Sequence, residues 1–252
     1  MSKTRKIPLS VQLWSVRDDI KADMAGTLSK IGKMGYDGVE FAGYGDHKAI
    51  DIKKYLADAG LKPSGCHVGL DAFDDQKFGQ TVEFHKTVGI DWLILPGLDA
   101  SLRDSPEKCK ATGARLTELS AKLAKVGLKT GFHLHDADVK PLSDGKSAWQ
   151  HLAASTTRDF IMQFDTGNAQ QGGADAVAGL KELNGRALSL HLKEFPMDGS
   201  PIGGGTLPWK EIFAAAQTGG TLWYVAECEV YTKHQPMELI DASAKWLRTQ
   251  GI

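Results

Sequence analysis

The chain has 252 residues, with 30 basic and 31 acidic side chains and a formal net charge of −1. This near-neutral balance, without a long run of one sign, argues against proteins that bind nucleic acid or anionic membranes. Its three cysteines follow neither CxxC nor zinc-finger spacing, which argues against a disulfide framework and a structural zinc cluster. We therefore expect a small-molecule partner; a homo-oligomer is compatible with these features.

No apolar run approaches the roughly 20 residues needed to span a bilayer. The first ten residues carry basic side chains but no apolar segment behind them, unlike a secretory signal. Since the cysteine usage also fits a reducing compartment, we expect a cytoplasmic protein, unless a targeting segment has been trimmed from the chain.

Apolar runs of strand length begin near residues 7, 37, 63, 91, 128, 160, 187 and 222. Stretches with the apolar spacing of helices lie between them. The mean distance between run starts is about 31 residues, the length of one βα unit. Eight such units predict an α/β fold, a single (β/α)₈ TIM barrel that occupies residues 1–252 as one domain.

The first predicted helix places Met24, Leu28, Ile31 and Met34 on one face and ends at Gly35. An open doubly wound sheet also alternates strands and helices, so periodicity alone leaves that fold open. No GxGxxG fingerprint follows the first strand, and no Pro-, Gly- or Ser-rich linker divides the chain. Both observations favour the single barrel.

Side chains that bind metals end four consecutive strand-like runs in the second half of the chain: His133 with His135, then Asp165, His191 and Glu227. The carboxyl ends of parallel strands meet at one mouth of a barrel, so these residues predict a site for one divalent cation. His133 and His135 share a strand face, and either could be the ligand from the fifth strand. Scattered polar caps at strand ends are the alternative.

Polar or aromatic residues close the first three runs as well: Gln12 and Trp14, Glu40, and His67. Together with Glu229, which shares a strand face with Glu227, they predict a ring that binds substrate hydroxyl groups, with Trp14 as a flat wall for a sugar. Lys193 follows His191 at an even offset and could hold an oxyanion or a carboxylate. Packing, capping and surface ion pairs are the alternative roles.

Six segments together resemble the xylose isomerase-like TIM barrels, the superfamily of sugar isomerases and epimerases that also contains endonuclease IV. They are residues 11–18 (VQLWSVRD), 35–41 (GYDGVEF), 133–136 (HLHD), 164–168 (FDTGN), 191–193 (HLK) and 226–229 (AECE). The resemblance covers nearly the whole chain. Members hold a metal with Glu, Asp, His and Glu from strands five to eight, which implies the ligands His133, Asp165, His191 and Glu227 here.

His133 departs from that pattern, because the first ligand of the superfamily is a glutamate. Its epimerases use two metal-bound glutamates as opposed acid and base, and this chain lacks one of them. The chain resembles the subgroup with a His-x-His motif on strand five, described broadly as sugar phosphate isomerases or epimerases. The resemblance implies a divalent-metal-dependent sugar isomerase or epimerase, using manganese, zinc, cobalt or iron.

The implied chemistry is proton abstraction next to a carbonyl, through an enediolate. Glu227 is the expected base, His135 the acid or second base, and Lys193 the group that holds an oxyanion. A metal-dependent dehydratase or lyase acting on a keto-sugar, a keto-inositol or a dehydroshikimate-like substrate is an alternative, since one base can suffice for elimination. A non-catalytic sugar-binding barrel is another. No arginine cluster marks a phosphate site, so an unphosphorylated carbohydrate or cyclitol is expected.

Overall fold

Eight parallel strands close into a barrel in the computed structural model, which describes residues 6–252. The strands follow one another around the barrel in chain order, and the last pairs with the first. Their bounds are β1 Leu9–Gln12, β2 Gly38–Phe41, β3 Lys62–His67, β4 Trp92–Leu95, β5 Lys129–His133, β6 Ile161–Asp165, β7 Ser189–Leu192 and β8 Trp223–Ala226. The predicted starts lie within two residues of these bounds. The (β/α)₈ prediction is confirmed, and closure excludes the open sheet.

Ten α-helices of the described residues surround the barrel. They are α1 Arg17–Ala22, α2 Met24–Lys33, α3 Ala49–Ala59, α4 Asp75–Val88, α5 Pro106–Ala124, α6 Ala148–Ser155, α7 Thr166–Gln171, α8 Ala176–Glu182, α9 Trp209–Thr218 and α10 Pro236–Thr249. As predicted, α2 buries Met24, Leu28 and Ile31, and the chain leaves it through Gly35 at φ 90°. Among residues 6–252, no helix has the length and hydropathy to cross a membrane.

The apolar core lies between the barrel and the helices. Phe132 of β5 and Phe164 of β6 pack against Trp149 of α6, and Tyr224 of β8 packs against Phe213 of α9. Since side chains alternate along a strand, the neighbours of these aromatic residues point into the barrel. The packing of these aromatic strand residues against the helices therefore decides which neighbouring side chains point into the barrel.

The barrel interior is unusually polar. Branched aliphatic residues usually fill a TIM barrel, but here Ser10 Oγ lies 2.6 Å from Ser64 Oγ, and Gln163 Nε2 donates to Ser189 Oγ at 2.9 Å. All four of these residues are buried. A buried polar group that finds its partners fixes the positions of the strands that carry it.

Gly131 of β5 provides a test of the barrel packing. A Cβ at this position would lie 2.7 Å from Ile161 Cβ and 2.9 Å from Ile94 Cδ1, and closer still to the Ile161 carbonyl oxygen. We therefore expect Gly131→Ala to lower the free energy of unfolding by about 1–3 kcal/mol in urea denaturation. Gly79→Ala is the control, because a Cβ on this α4 residue meets no atom within 4 Å; it should raise stability by about 0.5–1 kcal/mol. Equal effects of the two substitutions would contradict the packing.

His85 of α4 makes stability depend on pH. Its Nδ1–H donates to the Thr81 carbonyl at 2.6 Å, while its buried Nε2 has no partner. Burial lowers the pKa of His85 below 6.5. The unfolded chain therefore takes up the proton first as the pH falls, so stability present above pH 6.5 declines below it. We expect His85→Gln to shrink the loss of unfolding free energy between pH 7.5 and 5.5 by up to about 1.4 kcal/mol. Urea denaturation at both pH values measures this, and parallel losses in both proteins would contradict it.

Candidate metal centre

Four predicted ligands meet at the mouth formed by the carboxyl ends of the strands. His133 ends β5, Asp165 ends β6, His191 lies in β7, and Glu227 directly follows β8. One nitrogen or oxygen atom from each lies within 4.8 Å of the others, and all four residues are buried. The inward alternation of four adjacent strands produces this convergence.

Glu40 of β2 holds the His191 ring from below. Its Oε2 lies 2.7 Å from His191 Nε2, and the opposite ring nitrogen, Nδ1, lies 2.9 Å from Glu227 Oε2. The same carboxylate accepts from Gln12 Nε2 at 2.8 Å and from Gln163 Nε2 at 2.7 Å. His191 therefore has a fixed orientation, with Nδ1 directed towards the cluster.

Gln163 of β6 determines the proton positions of two further histidines. Because its amide Nε2 donates to Glu40 and Ser189, its Oε1 must face the rings. His133 Nδ1–H donates to this oxygen at 3.0 Å, and His67 Nε2–H donates to it at 2.8 Å. His133 Nε2 is left free as an electron-pair donor, 3.9 Å from Asp165 Oδ2.

Lys193 lies among three carboxylates. Its Nζ is 3.1 Å from Glu227 Oε2, 3.2 Å from Asp165 Oδ2 and 2.5 Å from Glu229 Oε2. The Lys193 side chain is almost fully buried. Glu229, predicted to bind substrate, therefore also holds the lysine in place, which the sequence prediction did not include.

The charges of the cluster perturb its carboxylates in opposite directions. Burial and the neighbouring Glu227 raise the pKa of Asp165 to about 6, against the opposing effects of Lys193 and His191. Burial also acts to raise the pKa of Glu227, but Lys193 and His191 outweigh it and hold that pKa well below its usual range. One carboxylate is thus firmly ionised, and its neighbour is crowded by negative charge.

The pKa values of His191 and His133 are also shifted in opposite directions. Burial favours neutral His191, but Glu40 and Glu227 overcome it and raise the pKa of His191 to about 10. Burial, His191 and His67 lower the pKa of His133 well below 6.5. His133 is therefore a neutral imidazole at neutral pH, the form that donates an electron pair to a cation.

The donor set fits a divalent cation. Asp165 Oδ1 accepts from the Asn168 N–H at 2.7 Å, whereas the buried Oδ2 lacks a well-directed hydrogen bond despite the nearby Lys193 ammonium. Two imidazoles with two carboxylates suit manganese, zinc, cobalt or iron. Ligands at about 2.0–2.2 Å from an ion lie at most about 4.4 Å apart, so the observed cluster needs only small side-chain shifts.

His135 lies beyond the end of β5, so the two histidines of the motif have different positions. Its ring meets that of His133 edge to face, with centroids 4.8 Å apart. Its backbone N–H donates to Asp138 Oδ2 at 2.8 Å, and Arg103 Nη1 lies 2.9 Å from Asp138 Oδ1. Burial and Lys193 lower the pKa of His135. Of the two candidate ligands, His133 therefore belongs to the cluster and His135 to the wall above it.

A cavity of about 360 Å³ opens above the cluster. It is lined by Trp14, Ala42, His67, Pro96, His133, His135, Glu227 and Glu229. Three of the predicted substrate-binding residues, Trp14, His67 and Glu229, are on this lining. Gln12 and Glu40 are not: both are fully buried beneath it, where they support His191. Because both side chains are fully buried, neither reaches the cavity.

Comparison with known families identifies the family to which the chain belongs. A family model described as the xylose isomerase-like TIM barrel matches residues 28–250. The chain belongs to this family. No curated protein matches the chain by sequence.

Several solved structures share the architecture at low identity. A sugar phosphate isomerase/epimerase from Parabacteroides distasonis ATCC 8503 is 22% identical with a TM-score of 0.85, covering 98% of this chain and 96% of its own. An L-ribulose 3-epimerase is 14% identical with a TM-score of 0.72, covering 97% and 94%. An IOLI protein with a bound zinc atom is 18% identical with a TM-score of 0.71, covering 97% of both chains. At these identities the likeness establishes the fold.

Two polar residues of this barrel were missed by sequence reasoning. Gln163 precedes Asp165 by two positions in β6, so the alternation rule places both side chains inside, and a polar residue within an apolar run was the available signal. Asn168 donates from Nδ2 to the Leu134 carbonyl at 2.9 Å, which joins α7 to the segment between His133 and His135. That contact had no sequence signal.

Proposed function

We propose that this protein is a divalent-metal-dependent sugar isomerase or epimerase that removes and returns a proton on a carbon next to a carbonyl. One observation carries the proposal: the buried cluster of His133, Asp165, His191 and Glu227 forms the floor of a cavity with further titratable groups on its wall. A barrel mouth of this kind is where TIM-barrel enzymes perform their chemistry.

The ion would be held by His133 Nε2, Asp165 Oδ2, a Glu227 carboxylate oxygen and His191 Nδ1, which would lose its proton to the solvent on binding because the pKa of His191 is about 10 without metal. Such an ion, when bound, supplies Lewis acidity that polarises a substrate carbonyl and stabilises the enediolate. Glu40 and Gln163 fix the ring orientations that this role requires, through their bonds to His191 and His133.

Glu227 is the proton acceptor in this proposal. It lines the cavity, and its low pKa keeps it ionised at neutral pH. His135 lines the same cavity, and its lowered pKa keeps the ring neutral at neutral pH, so it could accept a proton as the second base. Lys193 keeps its charge and stabilises the ionised Glu227 and Glu229.

The relatives support a carbohydrate substrate. Among the structural neighbours are an L-ribulose 3-epimerase and a sugar phosphate isomerase/epimerase, and the IOLI protein carries zinc. The cavity wall adds Trp14, a flat aromatic surface of the kind that packs against a sugar ring. An unphosphorylated sugar or cyclitol with a carbonyl is the proposed substrate.

A second candidate, a metal-dependent dehydratase or lyase, is favoured by His133. Because this residue stands where the epimerases have a glutamate, the cluster retains only Glu227 as a carboxylate base on the cavity wall, with Glu229 paired to Lys193. Elimination needs one base and a proton for the departing hydroxyl, and Glu227 would provide both by passing on the proton that it takes from carbon.

The test begins with metal content and proceeds to proton exchange. The protein is incubated separately with manganese, zinc, cobalt and iron(II), dialysed and assayed by mass spectrometry. Ketoses and keto-glycosides are then incubated with the loaded protein in deuterium oxide. Isomerase or epimerase activity predicts deuterium beside the carbonyl with retention of all hydroxyls, whereas elimination predicts loss of water. A protein that takes up no metal and exchanges no proton is instead a sugar-binding module.

A further inference from the structure

A second and larger cavity lies beside the metal centre. Its volume is about 690 Å³, and it runs between the segment after β1, which includes Leu13 and Arg17, and the loop after β2, which includes Tyr44 and His47. Trp14 and Ala42 line both this cavity and the smaller one above the metal cluster. The two spaces therefore neighbour each other at Trp14 and Ala42, and each has the size of a ligand site.

Trp14 is exposed but held in place. The residue is 45% exposed, unusual for so large an aromatic group in this chain. The Arg17 guanidinium lies 4.9 Å from its ring centroid and 5.4 Å from that of Tyr231. Arg17 Nη1 donates to the Trp14 carbonyl at 3.1 Å and to the Tyr231 hydroxyl at 3.0 Å, and that hydroxyl donates to the Ser15 carbonyl. The exposed surface of Trp14 is thus a preformed platform.

The lining of the larger cavity suits a neutral ring with one apolar face. Leu13 and Met24 are buried and contribute apolar surface. Two basic and two acidic side chains on this lining bring both signs of charge in equal number, with hydrogen-bonding groups: Arg17, Lys21, Asp18 and Asp46. A sugar ring combines an apolar face of C–H groups with hydroxyls at its edge. The mixed charges disfavour an anion such as a phosphate.

We propose that the substrate is a glycoside of at least two rings. The ring that carries the carbonyl occupies the smaller cavity, and the neighbouring sugar lies in the larger cavity against Trp14. This inference rests on the proposed function, because it assumes that the smaller cavity holds the reacting ring. It makes Trp14 a specificity residue for the second ring.

The test compares one-ring and two-ring probes by isothermal titration calorimetry on metal-loaded protein. The probes are maltose, cellobiose, lactose and sucrose with their component monosaccharides. We expect at least one disaccharide to bind about tenfold more tightly than either component. Trp14→Ala should remove that advantage, with a smaller loss of monosaccharide affinity because Trp14 also lines the smaller cavity, while Trp14→Phe should retain most of the advantage. Ile50→Ala, an exposed apolar residue that lines neither cavity, is the control and should change neither affinity.

Two results would overturn the inference: no disaccharide that binds better than its components, or equal loss of both affinities in Trp14→Ala. Failure of the proposed function looks different. If the wild-type protein takes up no metal but its higher affinity for a disaccharide still depends on Trp14, the two-ring site is supported and the metal chemistry is not. If metal binds and proton exchange is as efficient with one-ring as with two-ring substrates, the proposed chemistry is supported and the site for a second ring is not.

Discussion

Asp165→Asn is expected to reduce bound metal from about one ion per chain to less than about 0.1 after dialysis, which corresponds to a loss of affinity of at least about 100-fold. The substitution removes the charge of Asp165 and offers an amide, a weaker ligand, at the position of Oδ2. Mass spectrometry of the wild-type and variant proteins, loaded in parallel, measures the effect. Retention of a full equivalent of metal by the variant would show that Asp165 is not a ligand.

Thermal unfolding separates metal loss from misfolding in the same variant. Because the pKa of Asp165 is raised to about 6, ionised Asp165 costs metal-free protein stability that appears as the pH rises from about 4 through 6. A neutral asparagine avoids this cost, and its side-chain oxygen can still accept from the Asn168 N–H. At pH 8 metal-free Asp165→Asn should therefore melt no lower than the wild type. At a metal concentration of 100 times the wild-type Kd, the wild type should gain about 2.7 kcal/mol of stability and the variant at most about 0.4 kcal/mol.

Glu227→Gln has the largest expected effect on turnover. Removing a positioned base costs about 10²–10⁴-fold in rate, and here it also removes the charge that Lys193 and His191 stabilise. We expect deuterium exchange into the substrate to fall by about 10³-fold. Because Glu227 is also a proposed ligand, exchange must be measured at a metal concentration that restores occupancy, which is checked in the same sample.

Glu211→Gln serves as the control for this substitution, since Glu211 lies in the first turn of α9, outside the site. Its exchange rate should equal that of the wild type. If Glu227→Gln at full metal occupancy lost less than about tenfold, the base would be another group, and His135 would be the next to test.

The barrel could be predicted from sequence because its signals are local and periodic. Runs such as residues 92–95 are apolar on both faces, and helix stops such as Gly35 and Gly60 adopt the positive φ that glycine tolerates. Eight repeats reinforce one another, so an error in one boundary does not change the topology. The buried cluster of His133, Asp165, His191 and Glu227 could be predicted for the same reason, since each residue ends an apolar strand, and its role as a metal site stays a prediction.

The roles of Gln12, Glu40 and Glu229 were harder to predict because they depend on depth and on partners across the barrel. The alternation rule shows that a side chain points inward but not how far below the mouth it lies. Glu40 belongs to β2, yet its partner His191 is 151 positions away in the chain. Likewise, the pairing of Glu229 with Lys193 depends on how the segment after β8 turns. Such contacts follow from the closed barrel and not from any local pattern.

The Glu40 carboxylate receives side chains from β1, β3, β6 and β7 through Gln12, His67, Gln163 and His191. Five of the eight strands thus fix the floor of the cavity through one buried group, independently of the connecting loops. The substrate wall, by contrast, comes largely from residues after the strands, such as Trp14, Pro96 and His135. If the proposed function holds, exchanging loops would therefore change the substrate while the cavity floor stays intact, whereas a change at Glu40 would displace the floor whatever the substrate.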